Sequence, residues 1–308
     1  MRRRPLHGKL MPRHSPPTAH VLVGILGWVV TSGCGTPPAG EPSTEGDRAV
    51  DDAVVVDAAG IEHRFEQPAL RIVSLVPSAT TTLRAIGAEA ALVGRTDFDR
   101  KPWVVSLPSV GGGLDPSLEA IVALRPDLVI RFAGEQDPRT PDRLDALGIR
   151  HVAVRPDHVD DIYRITSILG QATGHTEAAD SLTEWIQHEL IAISREAAKW
   201  PTVRVAYVLG GAPPWVAGPN TYIGEVLSII GGDNVFADLE GLYSSVSPEE
   251  FRTRDIDVIL TSAGSDLDPS LAPYSRIEVV GAGLEIPGPG IVEAARQMAL
   301  ILHGRNAP

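Results

Sequence analysis

The sequence predicts an α/β protein of two lobes joined by one long α-helix, with a ligand cleft between the lobes. Three observations carry this expectation. Short apolar runs alternate with helical segments along most of the chain. The alternation is interrupted once, at 175–200, by a stretch of about 26 residues without Gly or Pro. A Ser-x-Glu helix start followed by an Asp-led apolar strand occurs once on each side of that stretch. With 308 residues and 43% hydrophobic content, the chain carries enough apolar material for two cores.

Residues 1–34 read as an address. Arg2, Arg3, Arg4, Lys9 and Arg13 precede the apolar run 21–30, and Ser32-Gly33-Cys34 follows it, the layout of an export signal that ends in a lipobox-like site. The apolar run is too short to span a bilayer. Cys34, the chain's one cysteine, is therefore the expected lipidation site, with Thr31 standing where lipoboxes usually carry Leu. A disulfide within the chain is excluded. Residues 35–52 are polar and rich in Pro and Gly, so they read as a flexible tether.

Residues 53–173 form the expected N-terminal lobe. Strands are expected at 71–76, 91–96, 127–132 and 151–154, and helices at 79–86, 118–124, 141–147 and 160–169. Residues 174–201 hold the long helix, with Ala179, Leu182, Trp185, Ile186, Leu190 and Ile193 near helical spacing. At about 1.5 Å per residue it reaches roughly 40 Å, enough to serve as a stiff backbone between lobes. The pattern resumes in the C-terminal lobe, 202–308, with strands at 203–209, 258–261 and 277–280 and helices at 223–230 and 291–302. Parallel strands alternating with helices make each lobe Rossmann-like.

The two lobes echo each other in one segment. Ser117, Glu119, Ile121 and the strand 127–130 recur as Ser247, Glu249, Phe251 and 257–260. Each Ser can cap a helix whose first turn holds a carboxylate. Acids favour the positive end of any helix, which accounts for either Glu alone. Their recurrence raises a second reading, two carboxylates displayed on one face.

These residues resemble the class III substrate-binding proteins of ABC importers, which handle cobalamin, ferric siderophores and haem. The resemblance runs from about 54 to 304. It is carried by 71–80 with Leu83, 85–87 and 92–94, by 117–130, by the long helix, and by Pro287-Gly-Pro-Gly290 before the last helix. It implies an exported, lipid-anchored monomer in the periplasm or on the outer face of the cytoplasmic membrane. Its partners would be a metal chelate and an ABC permease dimer with its ATPase, which Glu119 and Glu249 would dock. Glu250, beside Glu249, could substitute.

A ligand between the lobes would meet the C-terminal ends of the strands. Phe98, Phe132 and Trp215 fall at such ends, and the cobalamin-binding members of the family resembled have aromatics at matching positions. Flat apolar side chains suit a corrin or porphyrin face. Asp97 and Arg131 flank them as candidate contacts to ligand amides or carboxylates. Where the cobalamin binders carry a further cleft tryptophan, this chain has 109–113, Ser-Val-Gly-Gly-Gly. The order of ligand classes is therefore corrinoid, then ferric siderophore, then haem.

Other classes of function find little support. The cations Arg2, Arg3, Arg4, Lys9 and Arg13 all precede Cys34 and no acid does, so the exported body is more acidic than the whole chain's net charge of −12. Such a body is repelled by nucleic acid and by anionic membrane surfaces. No phosphate-cradling glycine motif, nucleophile elbow or HExxH pattern occurs, so neither a catalytic nor a metal site is expected. A single His or Tyr bound to haem iron leaves no spacing to read. An extracytoplasmic sensor or enzyme on the same scaffold stays open as a different class.

Overall fold

A computed structural model describes residues 54–134, 138–274, 276–281 and 284–304. The export signal, Cys34 and the tether lie outside the described residues. In chain order the elements are β1 (Val54–Val56), β2 (Glu62–Arg64), β3 (Ile72–Ser74), α1 (Pro77–Ala85), β4 (Leu92–Gly94), α2 (Leu118–Leu124), β5 (Leu128–Phe132), α3 (Thr140–Ala146), β6 (His151–Val154) and α4 (Val159–Thr173). The second half continues with α5 (Thr176–Ala197), β7 (Val203–Gly210), β8 (Trp215–Ala217), α6 (Tyr222–Ile229), β9 (Gly232–Asn234), β10 (Tyr243–Ser245), α7 (Pro248–Thr253), β11 (Val258–Ser262), β12 (Ile277–Val280) and α8 (Ile291–His303).

The first lobe is built on a parallel sheet in the order β4-β3-β5-β6. Its central strands are buried on both faces, which is why they read as unbroken apolar runs. Alternate residues serve opposite layers. Ile72, Leu128 and Ile130 pack under α1 and α4, while Val73 and Val129 pack against Ile121 of α2 and Leu144 of α3.

The second lobe has the sheet order β10-β8-β7-β11-β12, with β9 beside the first half of β7. Strands β7, β9, β11 and β12 are parallel, as expected. Strands β8 and β10 run antiparallel, which the sequence pattern did not signal. The reason is their length: three residues each carry no measurable period.

One device repeats in both lobes. The Asp127 carboxylate accepts the backbone N–H groups of Leu70 and Arg71, pinning the start of β5 to the start of β3. The Asp257 carboxylate accepts the Arg204 N–H and also its guanidinium, pinning β11 to β7 in the same way. The repeated sequence segment is thus a repeated strand-pairing clamp.

The long helix of the sequence is α5, and it does bridge the lobes. Ala179 packs in the first core, Ile186, Leu190 and Ile193 pack in the second, and Leu182 touches both. It does not act alone. Helix α4 lies alongside, with Val159 and Ile162 in the second core and Ile165, Ile168, Leu169 and Ala172 in the first. Gly174, left-handed at φ 71°, ends α4 and lets the chain reverse into α5. The helices touch where Gly170 meets Ala179; a Cβ on Gly170 would stand 2.4 Å from the Ala179 Cβ. A second junction forms at Gly288, where a Cβ would lie 3.3 Å from the Thr81 hydroxyl of α1.

Because nothing but hydrogen fits at residue 170, Gly170→Val is expected to destabilise by about 1–3 kcal/mol through overpacking. Thermal unfolding of the variant should begin several degrees lower, at roughly 2–4 °C per kcal/mol for a chain of this size. An unchanged melting temperature would refute the helix contact.

Candidate functional site

In both lobes the loops that follow the parallel strands gather at one end of the sheet, where α/β proteins place their ligands. After β4 the chain turns on Asp99. Its buried carboxylate accepts the Thr96 backbone N–H at 3.0 Å and the Thr96 hydroxyl at 2.7 Å. That turn leaves Phe98 outside, 61% exposed, an unusual cost for an aromatic ring unless something covers it. Asp97 accepts a 2.6 Å hydrogen bond from Ser109, which fixes its carboxylate at the same end.

The glycine run 111–113 closes this corner. A Cβ on Gly113 would meet the Leu75 carbonyl oxygen at 2.4 Å and the Phe132 ring at 3.3 Å. The loop therefore lies flat against the ends of β3 and β5, beside Phe132, and presents Leu114 to solvent. Leu114 carried no sequence signal, because an apolar residue in a loop belongs to no period.

In the second lobe, Gly210 and Gly211 end β7, and Gly211 donates its N–H to the Asp266 carbonyl at 2.7 Å. A Cβ on Gly211 would come within 3.1 Å of the Trp215 ring, so these glycines let the indole lie against the chain. Trp215 opens β8 rather than standing in a loop, and it is 49% exposed. The structure thus places Phe98 and Phe132 at the strand ends of one lobe and Trp215 at those of the other.

Arg131 departs from the expected role. It is only 5% exposed. Its Nε donates to His151 Nδ1 at 3.1 Å, and Nη1 donates to the Phe132 carbonyl at 3.0 Å. Strand alternation explains this: Phe132 turns to one face of β5 and Arg131 to the other, where His151 waits on β6. The guanidinium holds the end of β5 in place instead of reaching for a ligand. Because Nδ1 accepts from Arg131, the His151 proton sits on Nε2 and is donated to Asp145 at 3.1 Å. Burial first, and then the Arg131 charge, push the His151 pKa below its ordinary value.

Ser117 and Ser247 cap α2 and α7, each accepting a backbone N–H at 3.2 Å. Both helices run away from the ligand end toward the start of the following strand, so Glu119 and Glu249 in their first turns stand on that end. Glu119 is exposed and makes no ion pair among the described residues. Glu249 and Glu250 differ in their surroundings. Glu250 bonds Arg254 at 2.9 Å, which also clasps Asp238 and covers the Phe236 ring. The Glu249 side chain is 75% exposed and takes a 3.4 Å surface contact from Arg252 one turn on.

Two surface pockets lie elsewhere. One of about 380 Å³ sits at the opposite end of the first sheet, beside Phe65, Leu128 and Arg150. The other, about 410 Å³, is lined by His158, Asp160, Arg164 and Glu225 at the start of α4. Among the described residues, no group of three His, Cys, Asp or Glu side chains could hold a metal ion, and no helix is long and apolar enough to cross a membrane.

Comparison with known proteins matches residues 72–271 to a family described as periplasmic binding proteins. The cobalamin-binding protein of Halobacterium salinarum is 31% identical over 293 residues, covering 87% of this chain and 78% of its own. The periplasmic vitamin B12 binding protein of Vibrio cholerae superposes with a TM-score of 0.66 at 27% identity, covering 76% of this chain and 97% of that one. The periplasmic heme-binding protein of Roseiflexus sp. RS-1, in its apo form, superposes with a TM-score of 0.67 at 25% identity, covering 77% and 99%.

The depressed His151 pKa has a measurable consequence. Below pH 6.5 the unfolded chain takes up a proton that the native imidazole refuses, so native stability falls as pH drops from 6.5 toward the lowered folded value. His158, raised mainly by its hydrogen bond to Glu225, works in the opposite sense. The difference between wild type and His151→Gln isolates the effect: the variant's melting temperature should decline less steeply below pH 6.5. Parallel declines would show that His151 does not titrate differently on folding.

Proposed function

The chain belongs to the periplasmic binding protein family, and from that premise we propose that it is the extracytoplasmic receptor of an ABC importer. It captures a metal chelate between its lobes, a corrinoid in preference to others, and delivers it to a permease dimer. The observation that carries the ligand reading is the set of partly exposed aromatics at the strand ends of both lobes, Phe98 and Phe132 on one and Trp215 on the other. Flat apolar side chains approaching from two sides suit a planar macrocycle. The names of the Halobacterium and Vibrio relatives support a corrinoid, and that of the Roseiflexus neighbour keeps haem as the second reading.

The delivery reading rests on the two exposed carboxylates at the ligand end. Two separated, charge-assisted contacts fix the orientation of a monomer on a two-fold partner and speed the encounter. Export through residues 1–34, lipidation of Cys34 and a tether over 35–52 would hold the acidic body close to that partner.

Titration of the full chain with cyanocobalamin, followed by calorimetry, is expected to give one-to-one binding. Trp215→Ala should weaken it about tenfold, the equivalent of losing about 1.4 kcal/mol of stacking. Binding unaffected by Trp215→Ala would remove the indole from the site. Glu119→Arg combined with Glu249→Arg should leave that affinity unchanged while abolishing uptake in cells that hold the cognate permease. Normal uptake by the double variant would exclude the docking role.

A further inference from the structure

The internal repeat sets the two exposed carboxylates on matching helices, and the match fails at one position. Glu119 and Glu249 hold the same place, second in α2 and second in α7, behind Ser117 and Ser247. Three residues on, one turn along the same face, α2 carries Val122 and α7 carries Arg252. Both of these side chains are exposed.

The rest of each helix sharpens the contrast. Within α2, Glu119 is the one charged residue, and it makes no ion pair among the described residues. Helix α7 holds Glu249, Glu250 and Arg252, and Arg254 follows as its C-cap. Arg254 is already engaged, because its two terminal nitrogens take the Asp238 carboxylate at 2.7 and 2.9 Å and one of them takes Glu250 at 2.9 Å. Phe251 is fully buried and pins α7 to the lobe, so the helix cannot turn Glu249 away. Arg252 is the cation left over. Its Nη1 donates to Glu249 Oε1 at 3.4 Å, its one ion pair among the described residues.

A permease dimer with two-fold symmetry offers the same cationic site to each lobe, so the partner cannot tell the two acids apart. Any inequality must come from this chain. Glu119 meets an incoming cation unpaired, with the apolar Val122 beside it. Glu249 must first be released from Arg252, and the freed guanidinium then repels the cation that replaces it.

Resting on the docking reading above, we infer that the two lobes grip the permease unequally: Glu119 is the stronger anchor, and Arg252 is an internal competitor that weakens the contact made by Glu249. The repeat thus presents a bare acid on one lobe and a self-neutralised one on the other.

The experiment is binding of the full chain to the purified permease–ATPase complex of its importer in nanodiscs, with melting temperature as the control for fold. Arg252→Gln is expected to tighten docking about twofold to fivefold, the range that one exposed ion pair spans. A gain is the informative sign, because damage to the fold would only weaken binding. Arg252→Lys keeps the charge and should match wild type. Glu119→Gln should weaken docking about threefold more than Glu249→Gln does. Exchanging the neighbours, Val122→Arg together with Arg252→Val, should reverse that order. Unchanged or weaker docking by Arg252→Gln, tighter docking by Arg252→Lys, equal losses from Glu119→Gln and Glu249→Gln, or an order that survives the exchange would overturn the inference while leaving the docking reading intact. Normal docking by the combined Glu119→Arg and Glu249→Arg variant would remove the docking reading, and this inference with it.

Discussion

The architecture depends on two helices that each serve two cores. Helices α4 and α5 lie side by side, and each divides its apolar face between the lobes. Either lobe therefore loses part of its core if the pair comes apart. The contact is close because Gly170 leaves room for Ala179, and close-packed interfaces of this kind do not deform gradually. The lobes are consequently coupled through a packed helix pair rather than through a flexible linker.

The candidate site residues lie at the ends of the strands or in the loops that follow them. The local devices there share a physical logic. Glycines at 113 and 211 remove a Cβ where a backbone or a ring comes too near, and a short turn on Asp99 leaves the Phe98 ring partly in solvent. The result is two apolar surfaces rimmed by acceptors. Arg131 and Arg95 are used as struts, while Arg100 and Lys101 stand exposed beside Phe98.

The internal repeat has two separable meanings. Asp127 and Asp257 clamp one strand start to another by taking backbone N–H groups, so their recurrence is explained by folding alone. Glu119 and Glu249 are not needed for any such clamp. Their Ser caps already serve the helix starts, and both residues are exposed. Glu119 and Glu249, exposed at the same end of each lobe, are the acids on which the proposed docking to a two-fold partner rests.

The sequence by itself determined the parts of this protein that depend on local pattern. Parallel strands buried on both faces appear as apolar runs, helices as periodic stretches with Ser caps, and the bridging helix as a long segment free of Gly and Pro. All are properties of residues close in the chain. It also placed Phe98, Phe132 and Trp215 at strand ends, because the end of a run is visible in the run. Only the tertiary structure decided the rest. The antiparallel β8 and β10 are three residues each, too short to carry a period, and the second bridging helix is recognised by which core it packs in. Arg131 turns inward because His151 lies on the neighbouring strand, and Arg254 is drawn to Asp238 sixteen residues away. Each of these is a competition between a side chain and a partner that only folding brings within reach, so no spacing in the sequence records its outcome.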